Sequence, residues 1–132
     1  MQLAAGDRVE RRIELRKRGR GRFGAIYFVA RARSRSTLDL DRLNGLHVTL
    51  KRCAKKWRRH GAGYRCAHSV TLVSTKPLTG RRRLKLRKLR LRGARRAHLL
   101  LVISLPATAG TALAGQRSRV VYSFVGVPRG RR

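Results

Sequence analysis

Asn44 to Cys66 reads NGLHVTLKRCAKKWRRHGAGYRC and holds both cysteines and the only tryptophan of the chain. Leu46, Val48 and Leu50 alternate with His47, Thr49 and Lys51 and lead straight into Cys53. Period two places the three apolar side chains on one face of a strand. Residues 54–64 carry Gly61, Gly63 and a block of Lys and Arg, the composition of an exposed excursion. Trp57 and Tyr64 interrupt that block and are the groups expected to fold back over the cysteines. A strand, an excursion and a return at Cys66 predict a loop stapled across one edge of a β-domain.

Twelve residues separate Cys53 from Cys66, and with no other cysteine present only one intramolecular pairing exists. A bridge closing a loop of this order contributes about 3 kcal/mol in the chain-entropy model. Spacing alone leaves a disulfide and two free buried thiols equally open. A metal site is the weakest of the three readings, because structural zinc takes four ligands, commonly with close Cys pairs.

The length of 132 residues is that of one domain, and the apolar content is ordinary for a folded core. The charge is not ordinary: 35 Lys and Arg against 5 Asp and Glu give +30. Charge of this sign draws nucleic acid, anionic lipid headgroups and acidic polymers, and says nothing of fold. No apolar run is long enough to predict a transmembrane helix. The opening MQLAAGDRVE lacks a basic region followed by an apolar one, so no signal peptide is expected in the sequence as given.

Around the cysteine loop the chain reads as further strands. From Arg8 to Arg16, Val9, Ile13 and Leu15 share one face with Arg11, while the even positions are all charged. Residues 17–24 (KRGRGRFG) form a glycine-punctuated turn, and residues 25–30 (AIYFVA) a second strand expected to pair with the first. Residues 34–44 read as a polar connection with Leu38, Leu40 and Leu43 turned inward. A third strand is expected at 46–52 and a short one at 70–74, with Pro77 and Gly80 closing it. Leu84 and Leu86 sit at even positions and Leu89 and Leu91 at odd ones, which implies a bulge or corner near Arg87 and Lys88. A basic amphipathic helix is the competing reading of that segment. His98 to Leu105 is apolar on both faces, as a central strand would be, and Arg119 to Val125 supplies the last strand after a loop of small residues at 106–115. Short strands without a long helix predict an all-β fold, a jelly-roll or immunoglobulin-like antiparallel β-sandwich. It forms one domain over residues 1–127, with 128–132 as a basic tail.

Gly19, Gly21 and Gly24 spell GxGxxG, but the residues that follow are β-like, so a hairpin turn is the better reading. Residues 23–28 approach an RNA-binding strand signature, yet Arg22 and Ala25 stand where glycine and a base-stacking aromatic belong. His47, His60, His68 and His98 lie in no metal or triad motif, and no acid lies near any of them in sequence. His60 and His68 flank the cysteine loop and are the two that can meet. No enzyme is expected, and no cofactor.

Three basic runs remain: 16–22, 51–59 and 81–96. Their expected polyanion-binding residues are Arg16, Lys17, Arg18, Arg20 and Arg22 in the first run. Lys55, Lys56, Arg58 and Arg59 follow in the second, and Arg81, Arg82, Arg83, Lys85, Arg87 and Lys88 in the third. Three runs exceed what solubility needs. Their spread along the chain reads as a general electrostatic coat.

Several stretches in order resemble the camelysin/TasA-like family of exported proteins of Gram-positive bacteria. Ala5-Gly6-Asp7 resembles the family's PGD entry without its proline. Asn44-Gly45-Leu46, Cys53, Trp57, Tyr64 and Cys66 resemble its middle segment. Leu105-Pro106-Ala107-Thr108-Ala109-Gly110, Gly115, Ser118, Tyr122, Phe124 and Gly126 resemble its late one. The likeness runs from Gly6 to Gly126. It implies a jelly-roll-like sandwich, export, a Cys53–Cys66 disulfide, and a role in matrix fibres or at the cell surface. It also implies self-assembly by exchange of an N-terminal strand, for which residues 1–15 are the candidate. The family's peptidase activity would need a metal site that these residues do not supply. Two departures are plain: outward positions commonly Thr, Ser or Asn in the family are Arg and Lys here, and the sequence as given is not expected to include a signal peptide. Stacking like-charged subunits then requires polyanions or salt.

The function expected is a non-enzymatic, secreted or cell-surface structural protein. Its basic surface would dock to extracellular DNA, cell-wall polymers or lipid headgroups, with no small-molecule substrate. The alternative is a cytosolic nucleic-acid-binding protein of ribosomal-protein-like charge; a metallopeptidase is the remote third.

Overall fold

Alternating apolar positions put their side chains on one side of a strand, and in this chain the strands pair so that those sides meet. The computed structural model describes residues 6–16, 23–32, 46–78, 81–87, 89, 96–105 and 120–128. They form nine strands: β1 (Arg8–Arg16), β2 (Phe23–Ala32), β3 (His47–Cys53), β4 (Arg58–His60), β5 (Gly63–Arg65), β6 (Ser69–Pro77), β7 (Arg81–Lys85), β8 (Arg96–Ser104) and β9 (Val120–Pro128). A four-stranded sheet has the order β1-β8-β3-β6, a three-stranded sheet the order β7-β2-β9, and β4 pairs with β5. Every pairing is antiparallel. The fold is an all-β antiparallel sandwich, as the sequence predicts.

The core lies between the two larger sheets. Leu46, Val48 and Leu50 at β3 and Ala97, Leu99, Leu101 and Ile103 on β8 are buried there with Ile26, Phe28 and Ala30 of β2. Val9, Ile13 and Leu15 of β1 pack against the same cluster, each on the core side of its β8 partner. Fully burying an aliphatic side chain contributes about 1.5–3 kcal/mol, so this interlocked set holds the sheets together.

The first strand does not pair with the second. β1 lies along β8 (Val9 opposite Ile103, Ile13 opposite Leu99), whereas β2 lies between β7 and β9 in the other sheet. The two apolar stripes face each other across the core instead of lying side by side. Period-two patterning marks a buried face and leaves the choice of neighbour open. The chain in fact changes sheet at almost every step, and β3 to β6 is the one move between larger strands that stays within a sheet. The cysteine loop is the tip of that long hairpin.

Strand bounds otherwise follow the sequence closely, with the short strand predicted at 70–74 extending to Ser69–Pro77. Among the described residues the basic leucine segment turns a corner and forms no helix. β7 ends at Lys85, the Leu86 N–H donates to Ile26 O at 2.8 Å, and the Leu89 N–H donates to Leu86 O at 3.3 Å. Both leucines are buried. The glycine-rich turn at 17–22, the connection at 34–44, Gly80, Leu91, the loop at 106–115 and the end of the tail lie outside the described residues, as do residues 1–5.

Candidate polyanion-binding site

β8 is apolar on both faces, so the four-stranded sheet has an outer surface that also needs cover. Leu100 and Val102 point away from the core, and the residues beside them in register are Arg12 and Glu10 on β1 and Lys51 and Thr49 on β3. The cysteine loop supplies the cover. Trp57, 5 % exposed, packs with Cys53, Leu100 and Val102, and Tyr64 and Cys66 close the cluster from the side. The loop therefore lies over the outer face of the sheet, beyond the edge position expected from the sequence.

Cys53 and Cys66 form a disulfide, with a sequence separation of 13 and Cα atoms 6.1 Å apart. Between them β4 and β5 make a tight hairpin whose register sets Arg58 opposite Arg65, Arg59 opposite Tyr64 and His60 opposite Gly63. Gly61 opens its two-residue turn at φ 59°, a left-handed conformation that favours glycine.

Three residues, Glu10 and Arg12 on the outer face of β1 and His98 on β8, fix this loop. Glu10 Oε2 accepts from the Tyr64 N–H at 2.8 Å, and the other carboxylate oxygen is bonded by Arg8. Arg12 donates to Trp57 O at 3.3 Å and lies 4.8 Å from the Tyr64 ring centroid, a cation–π arrangement. Trp57 Nε1 donates to His98 O at 3.1 Å, the partner that a buried indole needs.

Above this support the hairpin presents a solvent-open cleft of about 660 Å³. Lys55, Lys56, Arg58, Arg59 and Arg65 line it, with His60 and His68 at the wall and the disulfide, Ala54 and Ala67 completing the lining. No acid lines it. Arg58 and Arg65 directly opposite each other on adjacent strands repel and reduce hairpin stability. An anion between them removes that cost, which is the electrostatic form of a site for phosphate, sulfate or carboxylate groups.

The second basic run thus supplies Lys55, Lys56, Arg58 and Arg59 to one place, and His60 and His68 line the same cleft. Arg16, at the end of β1, is exposed, and its Nε donates to Glu14 at 3.1 Å. Arg81, Arg82, Arg83 and Lys85 lie on β7 in the other sheet, with Arg83 4.2 Å from the Tyr27 ring centroid, and Arg87 is exposed at the corner. Lys17, Arg18, Arg20, Arg22 and Lys88 lie outside the described residues. Arg65 was not singled out in sequence; the signal for it is the tight turn at Gly61-Ala62, which sets residues 58 and 65 in register.

A smaller recess of about 300 Å³ lies beneath, between β1 and the loop, lined by Arg12, Glu14, Lys56, Trp57 and His98 among others. Glu14 stands opposite His98 in the β1–β8 register, a juxtaposition made by strand pairing and invisible to local motifs. Hydrogen bonding from Arg16 holds the Glu14 carboxyl below its ordinary value; slight desolvation opposes this, and the charges of Arg16, Arg96 and His98 add to the lowering. Among the described residues no three of His, Cys, Asp and Glu gather as a metal-binding group, and no helix is long and apolar enough to cross a membrane.

No family model, curated protein or solved structure matches this chain.

Proposed function

We propose that this domain is a non-catalytic binding and structural protein that docks to anionic polymers through the cleft on its disulfide-closed hairpin. The observation that carries the reading is the meeting of Lys55, Lys56, Arg58, Arg59 and Arg65 around one concavity that no acid among the described residues lines. Repeated anionic groups suit it better than a single small ligand, because the remaining cations of a +30 chain extend the attractive field well beyond the cleft. Extracellular DNA, cell-wall polymers and anionic headgroups all have that chemistry.

Export to the cell surface or matrix is part of the proposal. Disulfides persist mainly in oxidising compartments, and a Cys53–Cys66 disulfide is present. The resemblance to the camelysin/TasA-like family points the same way, and the chain's repeated passage between the two sheets suits the jelly-roll wiring which that resemblance implies.

The test is binding of duplex DNA and of long-chain polyphosphate across a salt series. A linear fall of log K with log salt, similar for unrelated DNA sequences and for polyphosphate, is expected. A salt-insensitive affinity would overturn polyanion binding. Strong preference for one nucleotide sequence would overturn the matrix reading in favour of a dedicated nucleic-acid-binding protein.

A further inference from the structure

Open sheet edges are templates for pairing with another chain, and proteins blunt them with charge, proline or bulges. Among the described residues four strands of this sandwich are edges: β1, β6, β7 and β9. On β1, Arg11 shares the core-side face with Val9 and Ile13, opposite Leu101, and is exposed. β6 shifts register twice against β3 and ends at Pro77. β7 reads RRRLK, four cations in five residues. β9 is the least protected: its proline, Pro128, and its one register shift against β2 come only at its end, VVYSFVGVP carries no charge, and the register is unbroken from Val120 to Val127.

The faces beside that edge are apolar as well. On the outer face Val121, Val125 and Val127 are 38, 40 and 39 % exposed, next to Tyr27 and Val29 of β2. On the core side Tyr122 is 37 % exposed, its ring 6.4 Å from that of Phe28. The surroundings are cationic. Arg31 stands opposite Val121, Lys85 opposite Tyr27, and Arg83 lies over the Tyr27 ring. In sequence Arg117 and Arg119 precede β9 and Arg129, Arg131 and Arg132 follow it, and no acid occurs after Asp41.

We propose that β9 is a docking edge for an extended segment of another protein, apolar on both faces over about six residues, a common strand length, and carrying carboxylates at both ends. Its backbone would continue the β7-β2-β9 sheet, its apolar side chains would cover the valines and Tyr122, and its acids would complement Arg31 beside β9 and the cationic sequence on either side of the strand. A second copy fits less well, since antiparallel β9 strands would set the arginines of one chain beside those of the other. A bilayer would cover the outer valines while leaving the edge N–H and C=O groups without partners, and nucleic acid offers nothing to the valines.

The probe is a nine-residue peptide, Glu-Asp-Val-Val-Tyr-Val-Val-Asp-Glu, added to the intact, oxidised protein at physiological salt. Amide exchange is expected to slow in β9 residues on binding. N-methylating alternate peptide amides, which keeps charge and side chains, is expected to weaken binding about tenfold in one of the two alternations, the worth of one or two backbone hydrogen bonds. Val121→Lys and Val125→Lys, both at exposed positions, are expected to weaken it further. Equal affinity for both N-methylated peptides, or protection confined to the cysteine hairpin, would overturn the proposal. So would a low-salt dimer protected at β9 without peptide, which would assign the edge to a second copy. Protection confined to the cysteine hairpin would be anion binding at the cleft on the other sheet; the remaining outcomes leave the cleft reading untouched.

Discussion

Glu10 Oε2 accepts the Tyr64 N–H at 2.8 Å, joining an edge strand to a hairpin that lies 54 residues further along the chain. The Glu10 side chain is 9 % exposed, and the absence of a side chain at Gly63 leaves it room: a Cβ there would stand 2.7 Å from Oε2. One of only five acids in the chain is thus used to hold the cationic hairpin against its sheet.

Glu10→Ala removes the acceptor and leaves the Tyr64 N–H without it, a loss of about 1–3 kcal/mol expected in chemical denaturation. Gly63→Ala displaces the same carboxylate and should cost a comparable amount. Because both changes break one interaction, the double variant should lose clearly less than the two losses added. Strict additivity would show that Gly63 and Glu10 act separately.

Trp57 closes the small core over Leu100 and Val102. Trp57→Ala should destabilise by about 3–5 kcal/mol, the range for truncating a buried large aromatic. Trp57→Phe keeps much of the packing but loses the bond to His98 O, and should fall between. Thermal unfolding that leaves Trp57→Ala unchanged would show that the loop does not cover the sheet in solution.

Intact-mass analysis after alkylation should find both thiols protected until a reductant is added. Reduction should then lower stability by about 3 kcal/mol, as expected for a loop of this length. Free alkylation of both thiols without reductant would remove the staple, and with it the strongest physical support for export.

Glu14 gives the acid limb of the stability profile a defined sign. Its carboxyl titrates below the ordinary value of 4.5 in the folded chain, chiefly because Arg16 hydrogen-bonds it. The unfolded state therefore binds more protons in that interval, and the contribution is present above 4.5 and lost as pH falls through the lowered value. The effect is small, because the pair is open to solvent screening. Glu14→Gln should lower stability slightly near neutrality, where the contribution is present, and flatten the fall in stability below pH 4.5. An identical acid limb in the variant would exclude this role.

Much of the architecture was legible because one-face burial leaves a period-two signature: Leu46, Val48 and Leu50 marked β3, and the doubly apolar stretch from His98 marked a central strand. The same stretch carried a less obvious message. A strand apolar on its outer face needs a cover, and the nearest large apolar groups outside the strands expected from the sequence were Trp57 and Tyr64. Strand partners were not legible, since the pattern of β1 suits β2 and β8 equally well. For the same reason the meeting of Glu14 with His98, and of Glu10 with Tyr64, was invisible. Within the cleft, Lys55 to Arg59 stood out as a charge run, while Arg65 became visible only through hairpin register.

The central claim is that a shaped cleft, and not total charge alone, binds polyanions. The direct test compares two charge-matched variants: Lys55, Lys56, Arg58 and Arg59 all changed to Gln, and Arg16, Arg83, Lys85 and Arg87 all changed to Gln. Duplex DNA affinity is measured across a salt series for both. The account predicts the larger loss of affinity for the cleft variant, with its log–log salt slope reduced by roughly one unit per phosphate contact removed. Equal losses and equal slopes in the two variants would contradict it.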